Sequence, residues 1–125
     1  MKYGQMVAFV QERAEISSRI EADQAVRATI RVLGERMAAG ADQDVAFQLP
    51  APLAMEVPEQ QRGECFGVDE FYARVSRQSC ADEGQARRAA RAVAAALRDT
   101  LPGPEFDLLR TQLSDDYADL LSAEA

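Results

Sequence analysis

The feature that most constrains this chain is an internal repeat at an offset of 64 residues. Ser18 and Glu21 have the spacing of a helix capping box, in which a hydroxyl precedes the first turn and a carboxylate follows three residues later. Asp82 and Gln85 repeat that chemistry 64 residues on. Matched caps on matched helices predict a duplicated unit. The helix after the first cap contains Ala22, Ala25, Arg27, Ala28 and Leu33, which recur as Ala86, Ala89, Arg91, Ala92 and Leu97.

The two repeated helices are predicted to be the buried centres of their copies. At about 100° per residue, apolar side chains cover well over half of each helix, a wider face than a surface helix carries. In the first copy the apolar strips are Val26, Thr29, Ile30, Leu33 and Met37 with Ala25, Ala28 and Val32. In the second they are Ala90, Val93, Ala94, Leu97 and Leu101 with Ala89, Ala92 and Ala96. The remaining polar wedge contains Arg27 and Arg31, or Arg87, Arg91 and Arg98.

Shorter helices are expected around each long one. An amphipathic first helix is indicated by Met6, Val7, Val10 and Ala14, and its counterpart by Phe71, Tyr72 and Val75 with Asp69 as the cap. Third helices are expected to end near Gln48 and Gln112, followed by short closing segments at 53–57 and 115–121. No stretch has the alternation of a strand.

These elements predict one all-α domain over residues 1–125. It is expected to be a helical bundle of two repeats of about three helices each, approximately 5–57 and 68–122, related by a pseudo-twofold axis. Residues 58–67, which contain Pro58, Gly63 and Gly67 among polar residues, are expected to form the linker.

Three short sequence motifs occur within this predicted arrangement of helices. They are Ala25-x-x-Ala28 leading into Ile30-x-x-Leu33-x-x-Arg36-Met37, then Gln48-Leu49-Pro50, and Phe66-Gly67-Val68-Asp69-Glu70-Phe71. In these features the chain resembles an uncharacterised bacterial family, domain of unknown function 2267, from about Met6 to Leu121. The second copy departs from the pattern with Ser114 in place of the proline. The resemblance implies a helical tandem-repeat fold in the bacterial cytoplasm, and it implies no activity.

The residue types in the chain limit the catalytic and metal sites that it can form. The chain contains no histidine, which removes the common general base, histidine-based triads and most zinc and iron sites. Cys65 and Cys80 are expected to be reduced thiols, and Cys80 is interpreted as a small filler before the second cap, rather than a nucleophile. Asp115, Asp116 and Asp119 lack the spacing of a calcium loop and are interpreted as first-turn acids of a terminal helix. We therefore expect no enzyme activity, no cofactor and no metal.

The net charge of the chain limits the kinds of partner that it is expected to bind. A net charge of −7 argues against general binding to nucleic acid or to an anionic membrane. The opening stretch is interrupted by Gln5, Gln11 and Glu12, so it has neither a signal-peptide core nor a membrane span. A cytoplasmic location is the expectation.

The candidate interaction surface consists of five polar residues. Arg87, Arg91 and Arg98 are close together around the second long helix and can be an anion patch, although a solvated face with internal salt bridges is favoured. Gln48 and Gln112 are matched amides at equivalent helix ends, where a tie between helices is favoured over a shared recognition surface.

The leading hypothesis is a non-catalytic helical module that binds another protein or itself. Full burial of Ala25, Ala28, Ala89 and Ala92 within one chain would remove the support for self-association. The alternative is a small-molecule or lipid-binding domain with an apolar pocket between the repeats, containing Gln48 or Arg27. A third hypothesis is an acidic surface that mimics nucleic acid and captures a basic partner.

Overall fold

The computed structural model describes residues 2–36, 66–79, 81–101, 103–111, 113 and 115–121. These residues form helices and turns and include no strand, so the prediction of an all-α fold is confirmed. The predicted third helix of the first copy, most of the linker, Cys65 and Cys80 lie outside the described residues. The helices are α1 (Tyr3–Arg13), α2 (Arg19–Arg36), α3 (Val68–Ser79), α4 (Glu83–Thr100), α5 (Gly103–Thr111), a 3₁₀ turn (Asp115–Tyr117) and α6 (Ala118–Leu121).

The two long helices begin where the capping residues predict. Asp82 accepts a hydrogen bond from the backbone N–H of Gln85 at 2.7 Å, and the Ser18 hydroxyl accepts one from the N–H of Glu21 at 3.4 Å. Each cap satisfies a backbone N–H that has no partner within its helix. The sequence therefore determines both helix starts locally.

The core is centred on α2 and α4, and its pattern follows the 64-residue offset. Each buried residue of α4 lies 64 positions after a buried residue of α2. Most of these α4 residues are alanines, whose small side chains let helices approach closely. They are Ala86, Ala89, Ala90, Ala92, Val93, Ala94, Ala96 and Leu97.

The shorter helices complete the packing around this pair. Both α1 and α3 contact α2 and α4, and α2 and α4 contact each other. Ala25, Ala28, Ala89 and Ala92 are all buried within the single chain. The alanine strips therefore provide no free surface on which a second chain could pack.

A polar network joins α2 to α3 at the edge of the core. Arg74 donates to Glu35 at 3.1 Å and to Glu70 at 2.9 Å. Gln78 donates to Glu35 at 3.3 Å and accepts from Arg31 at 3.1 Å. The guanidinium of Arg74 also stacks on the ring of Phe66, 4.0 Å from its centroid. These contacts hold the C-terminal half of α3 beside the C-terminal part of α2.

Candidate binding site

The N-terminus of α3 is completed by the C-terminal segment, residues 115–121. The backbone N–H of Val68 donates to the carboxylate of Asp116 at 2.6 Å. The hydroxyl of Tyr117 donates to the carbonyl oxygens of Phe66 and Gly67, at 2.9 and 3.3 Å. The prediction that Asp69 caps this helix is wrong, because α3 begins at Val68 and an acid distant in sequence takes the capping position.

Beside this contact, Asp119 links α3 and α4 to the same segment. Its carboxylate accepts a hydrogen bond from the Tyr72 hydroxyl at 2.7 Å. The guanidinium of Arg87 donates to both oxygens of Asp119, at 2.9 and 3.3 Å. Arg87 also lies over the ring of Tyr72, 5.9 Å from its centroid. The three side chains form one preorganised polar network, since two parallel N–H bonds fix the orientation of a carboxylate.

The protonation states of this network are set by its own contacts. The hydrogen bonds from Arg87 and Tyr72 lower the pKa of Asp119, and the partnership with Asp119 raises the pKa of Arg87. Burial and the hydrogen bond to Asp119 raise the pKa of Tyr72. At neutral pH the network therefore holds a carboxylate, a guanidinium and a neutral phenol, none of which is close to its titration range. Such groups are poor general acids or bases, whose pKa should lie near the working pH.

An open cavity lies beside the network, with a volume of about 570 Å³. We call it the α3–α4 cavity, since it lies where these helices begin. The side chains of Asp69 and Glu83 are exposed there, and neither forms an ion pair with a described residue. The lining residues are Val68, Asp69, Tyr72, Glu83, Gly84, Arg87 and Asp119.

Gly84 leaves room at one side of the α3–α4 cavity. A Cβ atom placed on Gly84 would lie 3.4 Å from Asp82 Oδ1 and 3.7 Å from a guanidinium nitrogen of Arg88. These are ordinary van der Waals distances, so the backbone of α4 accepts a side chain here. Gly84 is part of the cavity lining, so a larger residue at position 84 changes that lining.

The predicted arginine surface faces the C-terminal segment. Arg87 binds Asp119, Arg98 donates to the carbonyl oxygen of Leu121, and Arg91 is half-buried and close enough to lower the pKa of Asp119 as well. Arg87 thus forms a salt bridge within the chain, whereas the Nε atom of Arg91 is buried without a hydrogen-bond partner. Gln48 and Gln112 lie outside the described residues. A recognition role for the five residues stays a prediction.

The interpretation of the C-terminal acids changes with the structure. They do not form the first turn of one terminal helix, because residues 115–117 form a 3₁₀ turn and α6 begins at Ala118. Asp116 and Asp119 instead bind the starts of α3 and α4. Among the described residues, no group of three histidine, cysteine or acidic side chains is arranged to hold a metal ion.

Acid should weaken the network through Asp119. Its folded-state pKa is below the ordinary value of 3.8, so its contribution to stability is fully present above that value. The contribution is lost as the pH falls through the lower, folded-state pKa. We expect Asp119→Asn to destabilise the protein at pH 7, and we expect the difference from the wild type to narrow as the pH falls below about 4. Urea unfolding at pH 7 and pH 3 measures both differences.

Asp115→Asn is the matched control, because Asp115 is exposed on the same segment. It should follow the wild type at both pH values. A constant gap between Asp119→Asn and the wild type at pH 7 and pH 3 would rule out this explanation.

The architecture defines the chain as an all-α protein with two alanine-rich central helices and a charged cavity beside the second. It belongs to the family described as uncharacterized conserved protein, DUF2267, whose model matches residues 3–120. The resemblance found in the sequence is thereby confirmed. No curated protein matches the chain. In the described ranges, every helix is too short or too polar to cross a membrane.

Proposed function

We propose that this protein is a non-catalytic helical module that binds a partner protein, and that the partner places a side chain in the α3–α4 cavity. The observation that carries the proposal is the cavity itself. It combines the small exposed parts of Val68 and Tyr72, which are otherwise buried, with two exposed carboxylates, Asp69 and Glu83, that form no ion pair with the described residues. An apolar floor with a polar rim is the usual anatomy of a protein contact.

A binding role without catalysis agrees with the chemistry of the cavity. Arg87, Asp119 and Tyr72 satisfy one another, and their pKa values lie outside the range useful for proton transfer at neutral pH. Their rigid arrangement supports recognition, because preorganised groups lose little freedom on binding. The proposal assumes a cytoplasmic location, as the family resemblance implies.

We further propose that the fold arose by duplication and has a pseudo-twofold arrangement. Two observations support this. The buried positions of α4 repeat those of α2 at a constant offset of 64 residues. In addition, α1 and α3 occupy comparable places, each against both long helices. The cavity lies on α3, α4 and α6, so it belongs to the second copy alone.

A small-molecule ligand is the second candidate function. The volume of about 570 Å³ is favourable for it, since ligand pockets commonly occupy about 300–1,000 Å³. The lining is more charged than the apolar pocket between the repeats that this hypothesis expected. Native mass spectrometry of protein purified from its host distinguishes the two, because a retained small molecule adds a discrete mass.

A large side chain at Gly84, in the lining of the cavity, is expected to weaken partner binding. We expect Gly84→Leu to lower the amount of crosslinked partner captured from the native host at least about tenfold, since one buried apolar side chain contributes a comparable factor. Quantitative mass spectrometry of the captured protein measures the loss. Circular dichroism checks that the variant remains folded.

Asp99→Leu is the control, since it adds the same side chain to an exposed position of α4. It lies fifteen residues beyond Gly84, about 22 Å along the helix. Equal capture by the wild type and both variants would contradict the cavity as the binding site.

A further inference from the structure

The net charge of the α3–α4 cavity follows from the side chains that line it. Arg87 and Asp119 form an ion pair at 2.9 Å, so their charges cancel. The carboxylates of Asp69 and Glu83 are exposed at the same cavity and form no ion pair with a described residue. The lining therefore carries an uncompensated negative charge on each of these two acids, which favours a cation and disfavours an anion.

Arg88 comes close to this lining but is bound elsewhere. One of its guanidinium nitrogens lies 3.7 Å from the place of a Cβ atom on Gly84. Its Nε donates to the carbonyl oxygen of Ala14 at 3.1 Å, just after the end of α1. The charges of Asp69 and Glu83 are therefore not taken up by the arginine of α4 that lies nearest to Gly84.

The first copy of the repeat has a place that corresponds to the cavity. Each buried residue of α1 lies 65 positions before a buried residue of α3, namely Met6, Val7 and Val10 before Phe71, Tyr72 and Val75. At this offset Gly4 corresponds to Asp69. Arg19 corresponds to Glu83 at the offset of 64 that relates α2 to α4. Gly4 and Arg19 therefore mark the corresponding place in the first copy.

A guanidinium occupies that place. The Nη2 atom of Arg19 donates to the carbonyl oxygen of Gly4 at 3.3 Å, so a cation joins the start of α1 to the start of α2. In the second copy an acid stands at each of the two positions, and both acids line the cavity. The second copy thus keeps the space and lacks the cation that the first copy supplies from its own chain.

We infer that the partner side chain that enters the α3–α4 cavity is an arginine, whose guanidinium donates to the carboxylates of Asp69 and Glu83. This rests on the proposed function and specifies the chemistry of the partner at that site. Arginine suits the site better than lysine, because its planar group carries several fixed N–H donors and can bind two carboxylates at once. Asp119 is already held by Arg87, which leaves the other two carboxylates of the lining for the incoming group.

Both acids also have a local role that needs no partner. Asp69 and Glu83 lie in the first turns of α3 and α4, where the helix dipole favours a negative charge. A control therefore has to be a first-turn acid away from the cavity. Glu21 meets this condition, since it is exposed in the first turn of α2 and is not part of the cavity lining.

Titration of the isotopically labelled full chain with N-acetyl-arginine methylamide, followed by NMR, tests the inference. We expect saturable shifts of the backbone amides of Asp69, Glu83 and Gly84. The citrulline analogue, which is of the same length and uncharged, should leave these amides unchanged at equal ionic strength. Asp69→Asn and Glu83→Gln should each raise the dissociation constant at least about fivefold. Glu21→Gln makes the same change in charge and should bind like the wild type.

Glu83→Arg provides a second arm. It places in α4 the residue that α2 has at Arg19, so the guanidinium of the chain itself should reach the start of α3 and occupy the cavity. We expect this variant to lose the response to the arginine probe more completely than Glu83→Gln does. Circular dichroism checks that each variant remains folded.

Three NMR results would overturn the inference. They are equal shifts with the arginine and citrulline probes, shifts that the cavity variants leave unchanged, and the absence of a saturable shift up to about 100 mM probe. A small cation retained in native mass spectrometry would assign the site to a small molecule and would overturn the inference as well.

The proposed function fails separately, when Gly84→Leu captures every partner as well as the wild type does. Loss of capture by Gly84→Leu without a response to the arginine probe would keep the cavity as the binding site and overturn only its assignment to arginine.

Discussion

Replacing Phe71 with alanine is expected to lower the free energy of unfolding by about 3–5 kcal/mol. Phe71 is fully buried in α3. Its ring meets those of Tyr72 and Tyr117 edge to face, with centroids 6.1 and 5.7 Å away. The alanine variant removes both aromatic contacts and leaves a cavity where the C-terminal segment meets α3. Urea unfolding followed by circular dichroism measures the loss.

Phe9→Ala is the comparison, because the Phe9 ring is only partly buried and stacks with Arg13 at the surface. Phe9→Ala should lower the free energy of unfolding clearly less than Phe71→Ala does. Phe71→Ala should also loosen residues 115–121, which hydrogen exchange can detect at Tyr117. Similar losses for the two variants would show that the aromatic cluster is not the anchor of that segment.

Replacing Leu97 with alanine is expected to cost about 2–5 kcal/mol. Leu97 is 1% exposed and lies among the alanines of α4, so neighbouring side chains are too short to fill the space it leaves. Leu33, its counterpart in α2, is 6% exposed and should give a loss in the same range. The two measurements use the same unfolding assay.

Leu113→Ala is the matched control, since Leu113 is only half-buried against the core. Leu113→Ala should lower the free energy of unfolding less than the alanine variants of Leu97 and Leu33 do. A Leu97→Ala variant as stable as Leu113→Ala would indicate that the α2–α4 contact relaxes to fill the gap, which would contradict the tightly packed alanine interface described above.

The helical core was predictable from the sequence because its determinants are local. Ser18 and Asp82 start the long helices by capping their own first turns, and the apolar period of each helix identifies its buried face. Both signals lie within one or two helical turns of the residues that they control. The buried positions of α2 and α4 consequently match the predicted strips closely.

The cavity was not predictable, since its determinants are distant in sequence. The sequence pattern places Tyr72 on an amphipathic helix and Asp119 in the first turn of a terminal helix, but their hydrogen bond spans 47 residues. The capping of Val68 by Asp116 spans 48. The helical period of apolar residues gives no information on which residues pair at such a distance in sequence. The one available signal was the reversal of charge at the 64-residue offset, where Arg19 corresponds to Glu83 and Asp23 to Arg87.

The dependence of α3 on Asp116 has a consequence for synthesis on the ribosome. Chains emerge from the N-terminus first, and a helix completes its contacts only when its partners have been made. The first backbone N–H of α3 finds its carboxylate 48 residues later, and α1 lacks one of its packing partners until α4 has been translated. The native arrangement of this small protein is therefore reached after nearly the whole described chain has left the exit tunnel, and α1 and α2 emerge before the helices that complete their core.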